Sequence, residues 1–219
     1  MPDTVKAARP YRSPKREAQA AATRADIADA AHRRFVARGY VSTTLADIAA
    51  EAGVSVPTVK LVYGTKRSLL MAVWERAVAG SDSRPLTEQD WFIRMLETPD
   101  PREHLRLKVA GSVPISGRVA PLVEVIRAAA QADDEIATLW QTMRAEFRDT
   151  QQLTIQALQR KGKLRDGLTP DEATDLLYTL NHETYHPLVG RLGWSPERFA
   201  HWLSQTLIEQ LLGPDETAP

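Results

Sequence analysis

The sequence predicts an all-α protein built as a small N-terminal three-helix domain followed by a larger helical domain. Three observations carry this. Apolar residues recur at helical spacing along most of the chain from Thr23 onward. Glycines at 39, 53, 64 and 80 stop these segments, and Thr44, Ser55 and Thr65 stand where helices would be capped. Alternating β-branched runs joined by turn dipeptides, the mark of hairpins, do not occur.

The elements follow in order. Residues 1–22 carry Lys6, Arg9, Arg12, Lys15 and Arg16 with Pro10 and Pro14 and show no apolar period, so they are expected to form a flexible basic arm. Ile27, Ala30, Ala31 and Phe35 make the inner face of a first helix that ends at Gly39. Thr44 and Asp47 have capping-box spacing, and Leu45, Ile48 and Ala49 continue as an apolar face toward Gly53. Ser55 caps a third helix with Pro57 in its first turn, and Thr65 caps a fourth that runs to Gly80. Further helices are expected near 87–97, 102–113, 119–132, 134–161, 170–188 and 195–212, with breaks or kinks at Pro114, Pro187 and the stretch 193–196. The domains are then an arm at 1–22, a three-helix unit at 23–64 and a helical unit at 65–219.

Composition narrows the function classes. With 43% hydrophobic and 26% charged residues the chain has ordinary globular usage. There is no cysteine, which excludes disulfides, thiolate metal sites and cysteine nucleophiles. No apolar run is expected to span a membrane, and residues 1–21 lack the apolar stretch of a secretory signal, so the expected location is the cytoplasm. The zero net charge conceals an asymmetry. Residues 1–80 hold 13 Lys/Arg against 7 Asp/Glu, and residues 81–219 hold 15 against 21. A basic first part on an acidic remainder fits a nucleic-acid-binding module joined to a second domain.

The segment 44–64 meets the steric demands of a helix-turn-helix in one register. With Gly53 as the turn residue, the close helix crossing needs a small residue four positions earlier, which is Ala49. Ile48, Ala52 and Val54 face inward around the turn, and Val59 and Val62 line the buried side of the second helix. Residues on the outer side become candidates for DNA contact: Thr44, Ser55, Val56, Pro57, Thr58, Lys60, Leu61 and Lys66. Thr58 offers a hydroxyl and a methyl to base edges, whereas Lys66, behind the cap Thr65, offers an ammonium to a phosphate.

Residues 27–73, IADAAHRRFVARGYVSTTLADIAAEAGVSVPTVKLVYGTKRSLLMAV, resemble the TetR family of regulators. Phe35, Gly39 and Tyr40 are similar to the end of that family's first helix, Val54 to Tyr63 to its recognition helix, and Gly64, Thr65, Lys66 and Leu69 to the start of its fourth. Two positions depart from the pattern. Lys60 stands where the family commonly has an aromatic residue, and Leu61 where it often has histidine or another polar side chain. Leu61 neither donates nor accepts, so at DNA it would suit a thymine methyl.

The resemblance implies a DNA-binding transcriptional regulator, a repressor released from a palindromic operator by a small molecule, with the larger domain serving ligand binding and dimerisation. Trp91, Trp140, Met143, Phe147 and Tyr178 are then candidates to line an effector pocket, and no cofactor is expected. The leucine-rich last helices, with Leu176, Leu177, Leu180, Leu203, Leu207, Ile208 and Leu211, would form a homodimer interface. Two other readings stay open. His182, Glu183 and His186 spell H-E-x-x-H, a zinc-hydrolase spacing, with Glu197, His201 and Glu209 as possible third ligands. A DNA-binding regulator without an effector is the other.

Overall fold

The computed structural model describes residues 14–82 and 84–213, and among these the chain is helical with no strand. The helices are α1 (Pro14–Arg38), α2 (Leu45–Glu51), α3 (Val56–Tyr63), α4 (Lys66–Ala79), α5 (Asp90–Glu97), α6 (Pro101–Ala129), α7 (Asp134–Gln159), α8 (Pro170–His182) and α9 (Pro196–Leu212). A 3₁₀ turn at Leu86–Glu88 precedes α5, and a π-helical turn at His186–Arg191 joins α8 to α9.

Two apolar clusters hold these elements. The first contains Ile27, Phe35, Ile48, Val59, Leu69, Leu70 and Trp74, and continues without a gap into Leu122, Ile126, Ile136 and Met143 of α6 and α7. The second gathers Leu105, Ile155, Leu158, Leu177, Phe199, Leu203, Leu207 and Leu211. Side chains of α6 enter both clusters, so this helix is the spine of the molecule. By length and composition it is apolar enough to cross a membrane, yet its inner face is packed within the protein by α4, α5, α7 and α9.

Three expectations need correction here. Residues 14–22 of the expected arm are helical, the exposed first turns of α1; Ala, Glu, Gln, Lys and Arg form helix by propensity without an apolar period to announce it. Residues 1–13 lie outside the described residues. Second, the expected helices 102–113 and 119–132 are one, α6, which runs through Pro114, where a break or kink was expected, and through Pro121. The buried stripe Lys108, Val109, Ser112, Val113, Ser116, Val119 and Ala120 keeps helical period across Pro114, so packing outweighs the roughly 3 kcal/mol a helix-interior proline costs. Ala110 and Gly117, four residues before each proline and so denied its N–H as a donor, are exposed. Third, the expected helix 170–188 stops at His182, and the backbone after Pro187 widens to an i→i−5 bond from Leu192 N to the Pro187 carbonyl.

Most of the leucines of the last two helices serve the chain's own core. Leu177, Leu203, Leu207, Ile208 and Leu211 are buried inside the single chain, and Leu176 and Leu180 pack partly against the same cluster. Leu176 and Leu180 keep part of their surface exposed.

Candidate nucleic-acid interface and ligand cavity

Local chemistry builds the helix-turn-helix. Thr44 caps α2 through a reciprocal pair in which its hydroxyl accepts from Asp47 N (3.1 Å) and the Asp47 carboxylate accepts from Thr44 N (2.9 Å). At its far end, Gly53 adopts φ 66°, a left-handed conformation that glycine reaches without strain. Val54 N then bonds to the Ala49 carbonyl (3.0 Å) and Gly53 N to that of Ala50 (3.3 Å), so the turn closes as a Schellman motif. Ser55 caps α3, its hydroxyl accepting from Thr58 N (3.2 Å). Ile48, Ala49 and Val59 are buried beneath this turn. Arg33 and Arg34 of α1 both donate to the Glu51 carboxylate, tying α2 to the first helix. The Tyr63 hydroxyl donates to the Arg24 carbonyl (2.8 Å) and ties α3 to it as well.

The outer stripe of α3 is Pro57, Lys60 and Leu61, three or four residues apart and all exposed. Leu61 is 87% exposed, which leaves an apolar side chain at the crest of the helix. Ser55 and Thr44 are exposed at the two helix starts, and Val56 is half-buried. Thr58 lies on the flank, one position from buried Val59. It is half-buried, and its hydroxyl is paired with that of Ser55 (2.8 Å), so it is less available to base edges than expected.

Lys66 is the larger correction. Its ammonium donates to the carbonyls of Tyr40 (2.9 Å) and Thr43 (3.0 Å) and sits 4.2 Å above the Tyr40 ring. Partial burial lowers its pKa. Two of its three N–H groups are therefore engaged inside the protein, and its first role is to staple the start of α4 to the loop between α1 and α2. It is not the free phosphate anchor the sequence predicts.

A cavity of about 190 Å³ lies deeper in the helical body, walled by α4, α5, α6, α7 and α8 and by residues 185–191. Of the five expected pocket residues, Trp91 and Phe147 line it. The others do not. Met143 is buried in the first apolar cluster, Trp140 packs partly against that cluster, and Tyr178 stands behind His182 at 5.3 Å while accepting a bond from Arg144 (3.2 Å). The wall also holds Trp74 and Val78 of α4, and polar groups that sequence reading passed over: Lys108, Ser112, Thr150, Gln151 and Asn181. Ser112 donates to Asn181 (2.9 Å), and the Gln151 amide nitrogen lies 3.2 Å from His182 Nε2. The Trp74 ring lies tilted by 35° against Phe147 at 5.4 Å, and Phe147 stacks on His182 at 5.2 Å. The signal for Lys108 was present: it is one lysine inside an otherwise apolar and small-residue stripe of α6.

His182, Glu183 and His186 belong to this cavity wall and not to a zinc site. The H-E-x-x-H arrangement needs both histidines on one helical face, but α8 ends at His182, and His186 opens the π-helical turn. The Glu183 carboxylate accepts from Arg127 (2.8 Å). Burial, then the nearby Lys108, pushes His182 down to about 3, holding it neutral. Among the described residues, no three His, Asp or Glu side chains group as metal ligands. Nothing in this arrangement supports the hydrolase alternative.

An all-helical chain with an exposed recognition helix on a capped helix-turn-helix, and a cavity behind it, has the form of a DNA-binding transcriptional regulator. Comparison with known proteins agrees. Residues 27–73 match the model of bacterial regulatory proteins of the tetR family. The match covers the DNA-binding domain, which is that of a tetR-family regulator. A search of curated proteins found no match to the sequence. Among solved structures, FadR, a fatty acid degradation regulator from Bacillus halodurans, is 17% identical with a TM-score of 0.68, over 90% of this chain and 96% of that one. NalD, the secondary repressor of the MexAB-OprM multidrug efflux pump in Pseudomonas aeruginosa, is 19% identical with a TM-score of 0.66, over 89% and 97%. A Saccharomonospora viridis protein described as a transcriptional regulator, solved in complex with choline, is 22% identical with a TM-score of 0.66, over 87% and 98%. At these identities the likeness is one of fold.

Proposed function

We propose that this chain is a ligand-responsive repressor that binds a palindromic double-stranded DNA operator as a homodimer in the cytoplasm and leaves it when a small molecule fills the cavity. One observation carries the reading: α4 belongs to both sites. Its first residue, Lys66, is bonded to the Tyr40 and Thr43 carbonyls beside the helix-turn-helix, and about two and three turns later Trp74 and Val78 form part of the cavity wall. Arg118 of α6 fixes the other end by donating to the carbonyls of Ala77 (2.7 Å) and Val78 (3.1 Å). A ligand that packs against Trp74 therefore acts on the helix that sets the attitude of α3. It favours one of two arrangements in proportion to its differential affinity for them.

In this scheme residues 23–64 read DNA and residues 65–219 hold the ligand and the partner subunit, although the apolar core runs across that boundary. Two-fold symmetry would place two copies of α3 in major grooves about 34–36 Å apart. Binding sites selected from random DNA should be inverted repeats with that spacing, and sedimentation at micromolar concentration should show twice the 24.4 kDa chain mass. A small molecule that fills the cavity should weaken operator binding, and the packing-conservative Trp74→Phe should reduce that response with little change in ligand-free DNA affinity. Selection of no sequence at all, or of single half-sites by a monomer, would defeat the proposal.

A further inference from the structure

We propose that the cavity takes a small monocarboxylate whose anionic group pairs with Lys108 and whose apolar body, about one ring in size, packs among Trp74, Trp91 and Phe147. This deepens the reading of the cavity as the effector site and rests on it.

The first support is the state of Lys108. It lines the cavity, it is 4% exposed, and among the described residues no carboxylate, carbonyl or hydroxyl is bonded to its ammonium. A buried cation without a partner is costly, and folded proteins ordinarily pair such a charge or expel it. Burial holds this lysine's pKa down at about 8, which leaves it mostly cationic at neutral pH.

The second support is the charge balance of the wall. Its other cations are Arg127 and Arg191, and its carboxylates are Glu124 and Glu183. Arg127 bonds to Glu183 (2.8 Å) and lies 3.8 Å from Glu124, which also accepts from Arg191 (3.3 Å). Both carboxylates are thus taken, and the histidines of the wall add no negative charge. One positive charge remains uncompensated, and it is the most deeply placed.

Size and chemistry then select the ligand class. A dry cavity of about 150 Å³ holds benzene, so about 190 Å³ admits one ring, or a chain of similar bulk, with a short acidic arm. A single ammonium suits a monoanion. A phosphate dianion would need several more donors than this wall offers. A ligand ammonium would meet Lys108 with like charge, and a neutral acceptor would give it a hydrogen bond but no compensating charge.

The test follows the fluorescence of the full-length protein, since Trp74 and Trp91 stand in the wall. Phenylacetate and hexanoate are titrated beside their amides and the corresponding amines, which share a skeleton and differ in charge. The acids should bind at least tenfold more tightly than the amides or amines. Lys108→Met should abolish that preference while still binding the amides, and should melt at a higher temperature because a buried charge is gone. A second measurement needs no variant. Between pH 7 and 9.5 the affinity for the acids should fall about tenfold while that for the amides stays level. His104 and His182, the titratable groups electrostatically coupled to Lys108, are held neutral throughout that range. Arg127 and Glu183 face the cavity as a closed pair. Amides or amines binding as tightly as the acids would overturn the carboxylate inference and leave the cavity as a small-molecule site. So would a Lys108→Met protein that binds acids like the parent. Failure of all six compounds to bind would overturn both.

Discussion

Trp91 lies against the backbone of Gly111 so closely that a Cβ at that position would sit 2.0 Å from the indole Cε3. This explains a glycine in the middle of α6, where it costs helix stability of about 1 kcal/mol relative to alanine. The space its missing side chain leaves is filled by an indole whose N–H donates to Gln89 (3.0 Å) and which also walls the cavity. Gly111→Ala should therefore displace Trp91 and lower stability by about 1–3 kcal/mol despite the better helix former. Urea unfolding and a shift in tryptophan emission check this, and an unchanged or raised midpoint would show that the contact is loose.

Lys66 and Tyr40 form the corresponding joint at the other end of α4. Replacing the lysine with methionine keeps the stem but removes both carbonyl bonds and the cation–π contact. Because the site is only partly buried, the expected loss is about 1–2 kcal/mol. Operator and unrelated DNA should both bind more weakly, and by the same factor, since the start of α4 is no longer fixed beside α3. A selective loss on one DNA sequence would instead mean that Lys66 reads bases.

Two buried histidines and Lys108 set a pH dependence. His104 is pushed down to about 4, chiefly by burial and then by the Lys161 ammonium, and His182 to about 3 by burial and then Lys108. The unfolded chain protonates both near 6.5 while the folded chain does not, so stability should fall as pH drops from 6.5 toward 4. Lys108 acts on the alkaline side. Its folded value near 8 lies below the ordinary 10.5, so the unfolded chain holds more protons between them and stability should rise with pH there. The rise is about 3 kcal/mol over the whole window. Lys66 and Lys161, also lowered by burial, act in the same direction. The part of the alkaline rise lost in Lys108→Met, measured by urea midpoints at pH 7 and 9.5, isolates the one group.

The DNA-binding half was legible because its signals are local. Capping threonines, Gly53 and the small Ala49 each act within four residues, and their spacing alone forces the turn. The cavity was not, because its wall is assembled from Trp74 to Arg191 across five helices and a π-helical turn. An aromatic stripe shows that a helix has an inner face but not which pocket that face meets. Trp91 and Phe147 turned toward the cavity while Met143, on the same stripe, went to the core. The leucines of α8 and α9 show a related limit: period shows burial, and a core and a partner bury alike, although five of the seven prove to be core. His182 and Glu183 were noticed for a metal motif, yet their use follows from where α8 ends.

The recognition helix yields the last prediction, because its crest carries a side chain with no hydrogen-bonding capacity. Leu61 is 87% exposed and Lys60 beside it is exposed, while Thr58 is half-buried with its hydroxyl on Ser55. Leu61 makes no contact that folding needs, so Leu61→Ala should change stability by no more than about 0.5 kcal/mol. At DNA its methyl groups meet the thymine methyl better than any polar base edge, and the substitution should lower discrimination at one base pair per half-site by about 1 kcal/mol. Lys60→Ala should weaken all duplexes alike and reduce the slope of log affinity against log salt by about one per subunit, as a phosphate contact does. Thr58→Ala removes a hydroxyl from the cap network of α3, so it should cost stability of about 0.5–1 kcal/mol as well as DNA affinity. Isotherms on matched and single-mismatch duplexes at several salt concentrations separate these effects. Discrimination lost on removing Thr58, and untouched on removing Leu61, would place the bases against the flank of α3 and not its crest.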